Sequence, residues 1–477
     1  MEKNNKNKLS WYKKLKILIP MHRYLNNSGI HDAFKVLKKY YPKLELLKFN
    51  KSDKCGLWTI PLSWEVLRGR LFDPKGRKIA DYFKNPLVLH SNSVSFNGKI
   101  KKNKLMSHIF SDKRRPNLTP FHYRNQFREH IKDWGFCMPY NKSKKLPSGD
   151  YRVQIETRFK KRDMNCAYIS HNGEISDTLL LTSHFDHPFQ ANDGIVGSIA
   201  AFEIISSLKK MRTKISYASL AAPEIIGSIF FAKKFAKKKN IKQAIMTSFC
   251  GVKSNLVYSK SSRDNTFIDR ALIHILKFKK KKSNIVNFRE IIGADEIAFD
   301  NVLNDIPCGS LYRWPYKYYH SDKDTIENVD TKSFREYCDI IKELIYIIEN
   351  NSVFTSKFKD LPKLSDPKIN LYISPRYWKR KNNSMPIDKS YYQSKSDMQF
   401  EKVLNFIGND DLRDACVQSS ENIQILQSMI PAKANGKMSC FDLAEKCKMP
   451  FIFVNEYLNM WEAKKLIKKK WISPFIN

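Results

Sequence analysis

Two imidazoles and two carboxylates crowd the end of one apolar run, in Leu180-Leu181-Thr182-Ser183-His184-Phe185-Asp186-His187-Pro188-Phe189-Gln190-Ala191-Asn192-Asp193-Gly194. Imidazole nitrogen and carboxylate oxygen are the donors that hold a zinc ion while leaving one position open for water or substrate. His184 and Asp186 lie two apart, so on an extended strand they project from the same face. Asp193 arrives from the loop that follows, just ahead of a helical pattern. The stretch reads as half of a metal site.

Polar residues recur where later apolar runs end. They are Glu224 in Ala221-Ala222-Pro223-Glu224-Ile225-Ile226-Gly227-Ser228, Cys250 in Ser248-Phe249-Cys250-Gly251, Asp295 and Glu296 after Gly293-Ala294, and His320, Asp322 and Asp324 in Tyr318-Tyr319-His320-Ser321-Asp322-Lys323-Asp324-Thr325. Each has a plain structural alternative. His187 can be a buried histidine satisfied by local hydrogen bonds, and Asp186, Asp322 and Asp324 can serve turns or caps. Cys250 can be a small buried hydrophobe as readily as a ligand or a neighbour of one. His184, Asp193 and His320 taken together resist that explanation, because they recur in order at strand ends. Glu224 either binds the metal or acts as general base.

Such residues meet only if the runs that carry them are neighbouring strands. Between 178 and 350 apolar runs alternate with helical patterns. Thr178 to Thr182 precedes a helix from Gly194 to Leu208, Ile215 to Ala222 precedes Ser228 to Lys238, and Ala244 to Cys250 precedes Phe267 to Lys277. A long helix from Thr331 to Glu349 closes the segment. This alternation predicts a mainly parallel sheet covered on both faces, whose carboxyl edge is where crevices form. Residues 30 to 49 have helical spacing. Residues 55 to 155 change character: strand-like Leu57 to Ile60 and Leu87 to His90 alternate with turn signals at Asp73-Pro74-Lys75-Gly76 and Asn97-Gly98. The expected organisation is an N-terminal helical part (1–54), a small β insert (55–155), the α/β domain (156–355), a linker punctuated by Pro362, Pro367, Pro375 and Pro386 (356–400), and a C-terminal domain (401–477).

That last domain has a Ser439-x-x-Asp442 helix start, a turn at Lys448-Met449-Pro450, a second helix from Phe451 to Trp461, and a wing-like strand from Leu466 to Ile472. The pattern looks like a winged helix. Asn455, Asn459 and Lys468 to Lys470 are its candidate nucleic-acid contacts, but its second helix lacks arginine for reading bases, so a structural or partner-docking role is favoured over DNA binding.

The 477 residues carry a formal charge of +38, and 42% of them are hydrophobic, which makes the chain globular. The lysine runs are scattered, as for solvated surface charge. Nine cysteines without a close CxxC pair argue against a disulfide framework. No run approaches the roughly 20 apolar residues that span a bilayer, and the patch Ile17-Leu18-Ile19 is too short for a signal-peptide core. A cytoplasmic location without membrane attachment is expected.

In order, these motifs resemble the clan of co-catalytic zinc aminopeptidases and glutaminyl cyclases. The resemblance is closest to a bacterial aminopeptidase-like group associated with polysaccharide biosynthesis. That group shows His-x-x-His-Pro…Ala-Asn-Asp (His184, His187, Pro188, Ala191, Asn192, Asp193), Pro-Glu-x-Ile-Gly-Ser, a Cys-Val/Ile-Gly strand end and Tyr-His-Ser…Asp. The resemblance implies a three-layer α/β fold with a β insert and a C-terminal winged helix. It implies one or two zinc ions held by His184, Asp193, Glu224 and His320, with Asp186 orienting His184 and Gly197 as the helix glycine. His187, Cys250, Asp295 and Asp324 are possible ligands or neighbours of ligands. Two departures stand out. The peptidases use adjacent glutamates where this chain has only Glu224, and they have an aspartate where it has Cys250. The implied activity is metal-assisted hydrolysis of an amide in a peptide or amino-acid conjugate. The alternative is a degenerate binding or regulatory protein. Oligomeric state is left open.

Overall fold

The computed structural model describes residues 10–128, 130–279, 283–373 and 397–475. Pro375 and Pro386 of the expected linker, and Lys280 to Lys282, lie outside the described residues. Two compact units emerge. The first comprises Met1–Asp264 and Val286–Cys338, the second Asn265–Ile285 and Asp339–Asn477.

The first unit is built on a mixed eight-stranded sheet. Its order is Glu45–Phe49, Met164–His171, Ser216–Ala222, Thr178–His184, Ile241–Thr247, Cys308–Trp314, Asn255–Ser259, Asn284–Val286. The four central strands, from Ser216–Ala222 to Cys308–Trp314, are parallel. The strands flanking them pair antiparallel. Every residue of Thr178–His184 and Ser216–Ala222 is buried, as a strand covered on both faces requires. Leu180, Ala218, Leu220, Ala222 and Ala244 meet Ile226, Phe230, Phe231 and Phe299 on one side. The opposite side receives the helix Ile195–Ser207, which is buried at nearly every position through Ile205. It lies so close that Ser183 and Ser198 share a hydrogen bond of 2.7 Å. A Cβ on Gly197 would lie inside contact distance of the Thr247 carbonyl, which explains this glycine physically.

Residues 55 to 155 contribute a four-stranded antiparallel sheet ordered Lys78–Asp81, Ser63–Phe72, Asp150–Lys160, Phe96–Lys101. Tyr151, Val153 and Ile155 face its core with Trp64 and Leu71. The Asp73 turn forms as expected, its carboxylate accepting from the Lys75 and Arg77 amides. Three local expectations are corrected. The helical spacing continues only to Tyr40, because Pro42 disfavours helix at Tyr41, and Glu45–Phe49 becomes an edge strand with Leu47 and Phe49 inward. Leu87 to His90 is not a strand. Pro86 starts a short 3-10 turn, and Asn85 caps it by accepting from Leu87 N at 3.0 Å. Asn97-Gly98 is not a turn but lies within a strand, opposite Gln154 and Val153.

In the second unit the helices Ile423–Lys433, Cys440–Cys447 and Phe451–Ala463 accompany a three-stranded sheet with Ser352–Ser356 between Asn435–Ser439 and Ile467–Trp471. Ser439 and Asp442 form the capping box. Lys448 ends the helix in the left-handed region. Three of the candidate nucleic-acid contacts hold one another: Lys469 Nζ donates to Asn455 Oδ1 at 2.7 Å and Asn459 Oδ1 at 2.5 Å, while Lys468 and Lys470 are exposed. Asn455 is buried. His274 is also buried, between Phe278 and Phe441.

Two stability outcomes follow from this packing. Gly197→Ala should cost about 3 kcal/mol by forcing the helix off its strand, read as a lower denaturant midpoint. Burial, with the charges of Lys277 and Arg270 adding to it, depresses the His274 pKa from 6.5 to about 4. The unfolded imidazole therefore takes up a proton before the folded one. The stability this group contributes is complete above its unfolded pKa and is lost as pH falls from 6.5 towards 4, at about 1.4 kcal/mol per unit. His274→Phe should flatten the dependence of melting temperature on pH between 6.5 and 4.5. An unchanged slope would refute that assignment.

Candidate metal centre

The strand Thr178–His184 delivers His184 at its last residue, and the loop beyond it supplies His187 and Asp193. Glu224 follows the neighbouring strand Ser216–Ala222, and His320 lies in the loop after Cys308–Trp314. These side chains converge. His184 Nε2 is 3.1 Å from Asp193 Oδ1, while His187 Nδ1 and His320 Nε2 lie 3.1 Å and 3.0 Å from Asp193 Oδ2. His187 Nε2 is 3.4 Å from Glu224 Oε2. His184, His187 and Asp193 each offer a donor atom, all within 4.8 Å of one another.

These donors have the character of a metal site. His187 Nδ1 and Asp193 Oδ2 are buried and close, yet neither has a hydrogen-bond partner, and His184 Nδ1 also lacks one. Buried polar atoms are seldom left so. The ligand atoms of a four-coordinate ion with bonds of about 2.0 to 2.1 Å stand about 3.3 Å apart, close to the spacings seen here. A nitrogen and oxygen donor set of this kind suits zinc.

The electrostatics are those of charges that sustain one another without solvent. Burial works against ionised Asp193, but His187, His320 and His184 outweigh it and hold the carboxyl well below its usual range. Burial likewise opposes protonation of His184, yet the Asp193 hydrogen bond raises its pKa to about 9. Glu224 is brought to about 2, because the His187 hydrogen bond and charge overcome its desolvation. Asp295 behaves differently. Burial lifts it to about 7 against the pull of His184.

Around this core the other expected residues take distinct places. Asp186 does not orient His184. The strand has ended at His184, so alternation no longer governs its direction, and its Oδ1 instead accepts the Glu224 amide at 2.9 Å. The carboxylate facing His184 Nδ1 is that of Asp295, at 3.9 Å, with its other oxygen accepting the Ile225 amide at 2.7 Å. Asp324 accepts the amides of Asn192 and Asp193, both at 2.9 Å, and the Tyr316 hydroxyl at 2.7 Å. Asp322 accepts the Thr119 amide at 3.0 Å, and Glu296 pairs with Arg289. Cys250 is not brought into the cluster. Its Sγ lies 3.6 Å from the Ser248 carbonyl oxygen, Tyr337, Cys338 and Arg313 are its charged and polar neighbours, and burial keeps it a thiol.

Backbone strain gathers at the same loops. Phe189, Ile225, Phe249 and His320 all have φ between 48° and 59°. For a β-branched residue such as Ile225 this is unfavourable by about 1 to 3 kcal/mol, and such strain concentrates at functional sites. Gly194, at φ 111°, leaves no space for a side chain: a Cβ would sit 2.7 Å from His184 Cδ2.

Sequence reasoning missed two contributors. Arg23 is fully buried and binds carbonyls of the loop that bears His187. The segment 115–123 of the insert lies along the His320 loop. Phe121 N donates to His320 O at 3.0 Å, Pro120 bridges Ser321, and Arg115 binds the Tyr319 carbonyl. The rings of Phe121 and Tyr123 stand 5.6 Å and 4.8 Å from that of His320. Neither feature leaves a signal in sequence, since backbone carbonyls and loop pairing follow no residue pattern.

Known proteins share this architecture. A relative from Clostridium acetobutylicum, provisionally named a polysaccharide biosynthesis protein with an aminopeptidase-like domain, is 27% identical over 350 residues, covering 72% of this chain and 78% of its own. The crystal structure of a provisionally assigned peptidase from Clostridium acetobutylicum superposes with a TM-score of 0.76 at 23% identity, over 96% of both chains. A zinc aminopeptidase from Bacillus subtilis matches with a TM-score of 0.53 at 13% identity, over 70% of this chain and 93% of its own. The fold is thus of the zinc-aminopeptidase kind. A family model, described as a domain of unknown function (DUF4910), matches residues 12–351, and the chain belongs to that family.

Proposed function

We propose that the chain is a zinc-dependent hydrolase that cleaves an amide bond in a peptide or amino-acid conjugate. The observation that carries this reading is the convergence of His184, His187, Asp193, Glu224 and His320, with buried donor atoms that have no hydrogen-bond partner. In the proposal His184, His187, Asp193 and His320 hold the ion. A zinc ion so held supplies Lewis acidity, polarising a carbonyl and bringing the pKa of water to about 7.

The protein's own groups do the rest. Glu224 has a side chain 16% exposed, against 2% for Asp193 and none for Asp295, so it is the carboxylate that meets an entering water. As an ionised group it takes the proton of that water and returns it to the leaving amine. Asp324 holds the Asn192-Asp193 backbone in the manner of outer partners that fix ligand geometry, and Asp295 stands 3.9 Å from His184 Nδ1 on the side away from Asp193. The name of the Clostridium acetobutylicum relative supports a place in polysaccharide biosynthesis, with the conjugate carrying an amino acid or amide on a sugar. No helix among the described residues is long and apolar enough to cross a membrane. The C-terminal elements read as a winged helix that docks a partner. Their Lys469, Asn455 and Asn459 are engaged with one another, which supports docking over base reading.

The test is metal analysis of untagged protein dialysed after zinc loading. The native chain should retain at least one equivalent, and His184→Ala, Asp193→Asn and His320→Ala should each lose most of it. A native chain that emerges metal-free ends the proposal. Glu224→Gln should keep its zinc while hydrolysis of aminoacyl amides falls by a factor of at least about 100, the scale of a lost general base. Loss of zinc in that variant would make Glu224 a ligand.

A further inference from the structure

Arg23 stands apart from every other cation described in this protein. It is wholly buried, and its three nitrogens donate to backbone carbonyls alone. Nε reaches Phe185 O at 2.9 Å, and Nη2 reaches His187 O at 2.6 Å and Gln190 O at 3.4 Å. Nη1 binds Leu18 O, together with Ile19 O at 3.3 Å. The guanidinium also lies 5.4 Å from the Phe185 ring, which stacks on Phe34.

Taking a guanidinium out of water is expensive, and the usual compensation is a carboxylate in hydrogen-bond contact. Among the described residues no carboxylate makes such a contact, although Asp186 is near enough to favour the charge. The charge is met by carbonyl dipoles instead, and three of the five carbonyls belong to residues 185–190. That loop carries Asp186 and His187. Asp186 in turn accepts the Glu224 amide at 2.9 Å, so fixing the loop also fixes the backbone of Glu224. A lysine could not substitute, because one ammonium cannot span carbonyls spread over the six residues 185–190 and those of Leu18 and Ile19, whereas a planar fork can.

We propose that Arg23 is a positioning residue for the metal centre: it clamps the 185–190 loop so that His187 and Glu224 are set before any ion arrives. The inference rests on the metal-centre reading and deepens it. Pre-organisation of this kind raises metal affinity without any contact to the metal. Loss of an outer partner lowers affinity by about 10- to 100-fold.

Zinc affinity is measured by competition with a chelating dye for native protein, Arg23→Lys and Asn26→Ala, with circular dichroism and melting recorded for each. Asn26 is the control. It is buried three residues away and donates to Pro61 O and Arg162 O rather than to the loop. Arg23→Lys should weaken zinc binding 10- to 100-fold, while Asn26→Ala lowers melting without moving the dissociation constant by more than twofold. A folded Arg23→Lys chain with native affinity overturns the proposal, as does an equal loss in Asn26→Ala.

Amide exchange of residues 185–191 in the unaltered protein gives a second reading that needs no variant to fold. Exchange in the metal-free chain should lie within threefold of that in the zinc-loaded chain. Slowing by more than tenfold on adding zinc means the ion, not Arg23, orders the loop, and overturns the proposal. If the native chain binds no zinc, the metal-centre reading fails by itself. Slow exchange then still supports the clamp, and fast exchange still refutes it.

Discussion

The site depends on keeping several ionisable groups out of water while some of their buried donor atoms, His184 Nδ1, His187 Nδ1 and Asp193 Oδ2, have no hydrogen-bond partner. Asp193, His184 and His187 are almost completely buried, and Asp193 remains ionised only because imidazoles surround it. In a low-dielectric interior such an arrangement is tolerated when the groups share a charge that satisfies all of them. The central sheet creates that interior. The four parallel strands contain no carboxylate and a single histidine, His184 at a carboxyl end, and the remaining histidines and carboxylates of the site lie in the loops beyond the strands.

Holding these groups requires backbone that would not form by local preference. Phe189, Ile225, Phe249 and His320, all at positive φ, lie in the loops after the strands, where Phe249 N donates to Asn192 O at 3.1 Å and His320 O accepts from Phe121 N at 3.0 Å. The Ile225 amide is held by Asp295, and the amides beside Asp193 by Asp324. Gly194 permits the chain to pass against the His184 ring, where any side chain would collide. Tertiary contacts thus decide the loop conformations, and the carboxylates not assigned to the metal act on the backbone instead.

The strand ends could be read in the sequence because doubly covered strands are uninterrupted apolar runs, and a histidine or aspartate interrupting them is conspicuous. His184, Asp193, Glu224 and His320 meet for that reason. The reading failed where periodicity stopped governing direction. Asp186 is two residues past His184 but one element further on, so its carboxylate turns to Glu224 N rather than to the imidazole. Asp295 was visible only as one of two adjacent acids, and nothing in Gly293-Ala294-Asp295-Glu296 says which faces His184. Arg23 was invisible, since three of its five partners are carbonyls more than 160 residues away, and a carbonyl has no residue type. Leu87 to His90 failed for a simpler reason: Pro86 and the Asn85 cap favour a turn that still buries Leu87 and Leu89.

The insert acquires its meaning from the same constraint. His320 lies in the loop beyond the strand Cys308–Trp314, at one side of the site. The segment from Arg115 to Tyr123 closes this side. It exchanges backbone hydrogen bonds between Thr119 and Asp322 and between Phe121 and His320, and it lays two aromatic rings against the imidazole. The His320 side chain is left 13% exposed and Glu224 16%, so the approach to the centre is confined to the side where these two residues lie. A loop segment far from the ligands in sequence thereby lies against the His320 side of the site. The aminopeptidase-like core supplies donors, the insert supplies exclusion of water, and each would be a weaker site without the other.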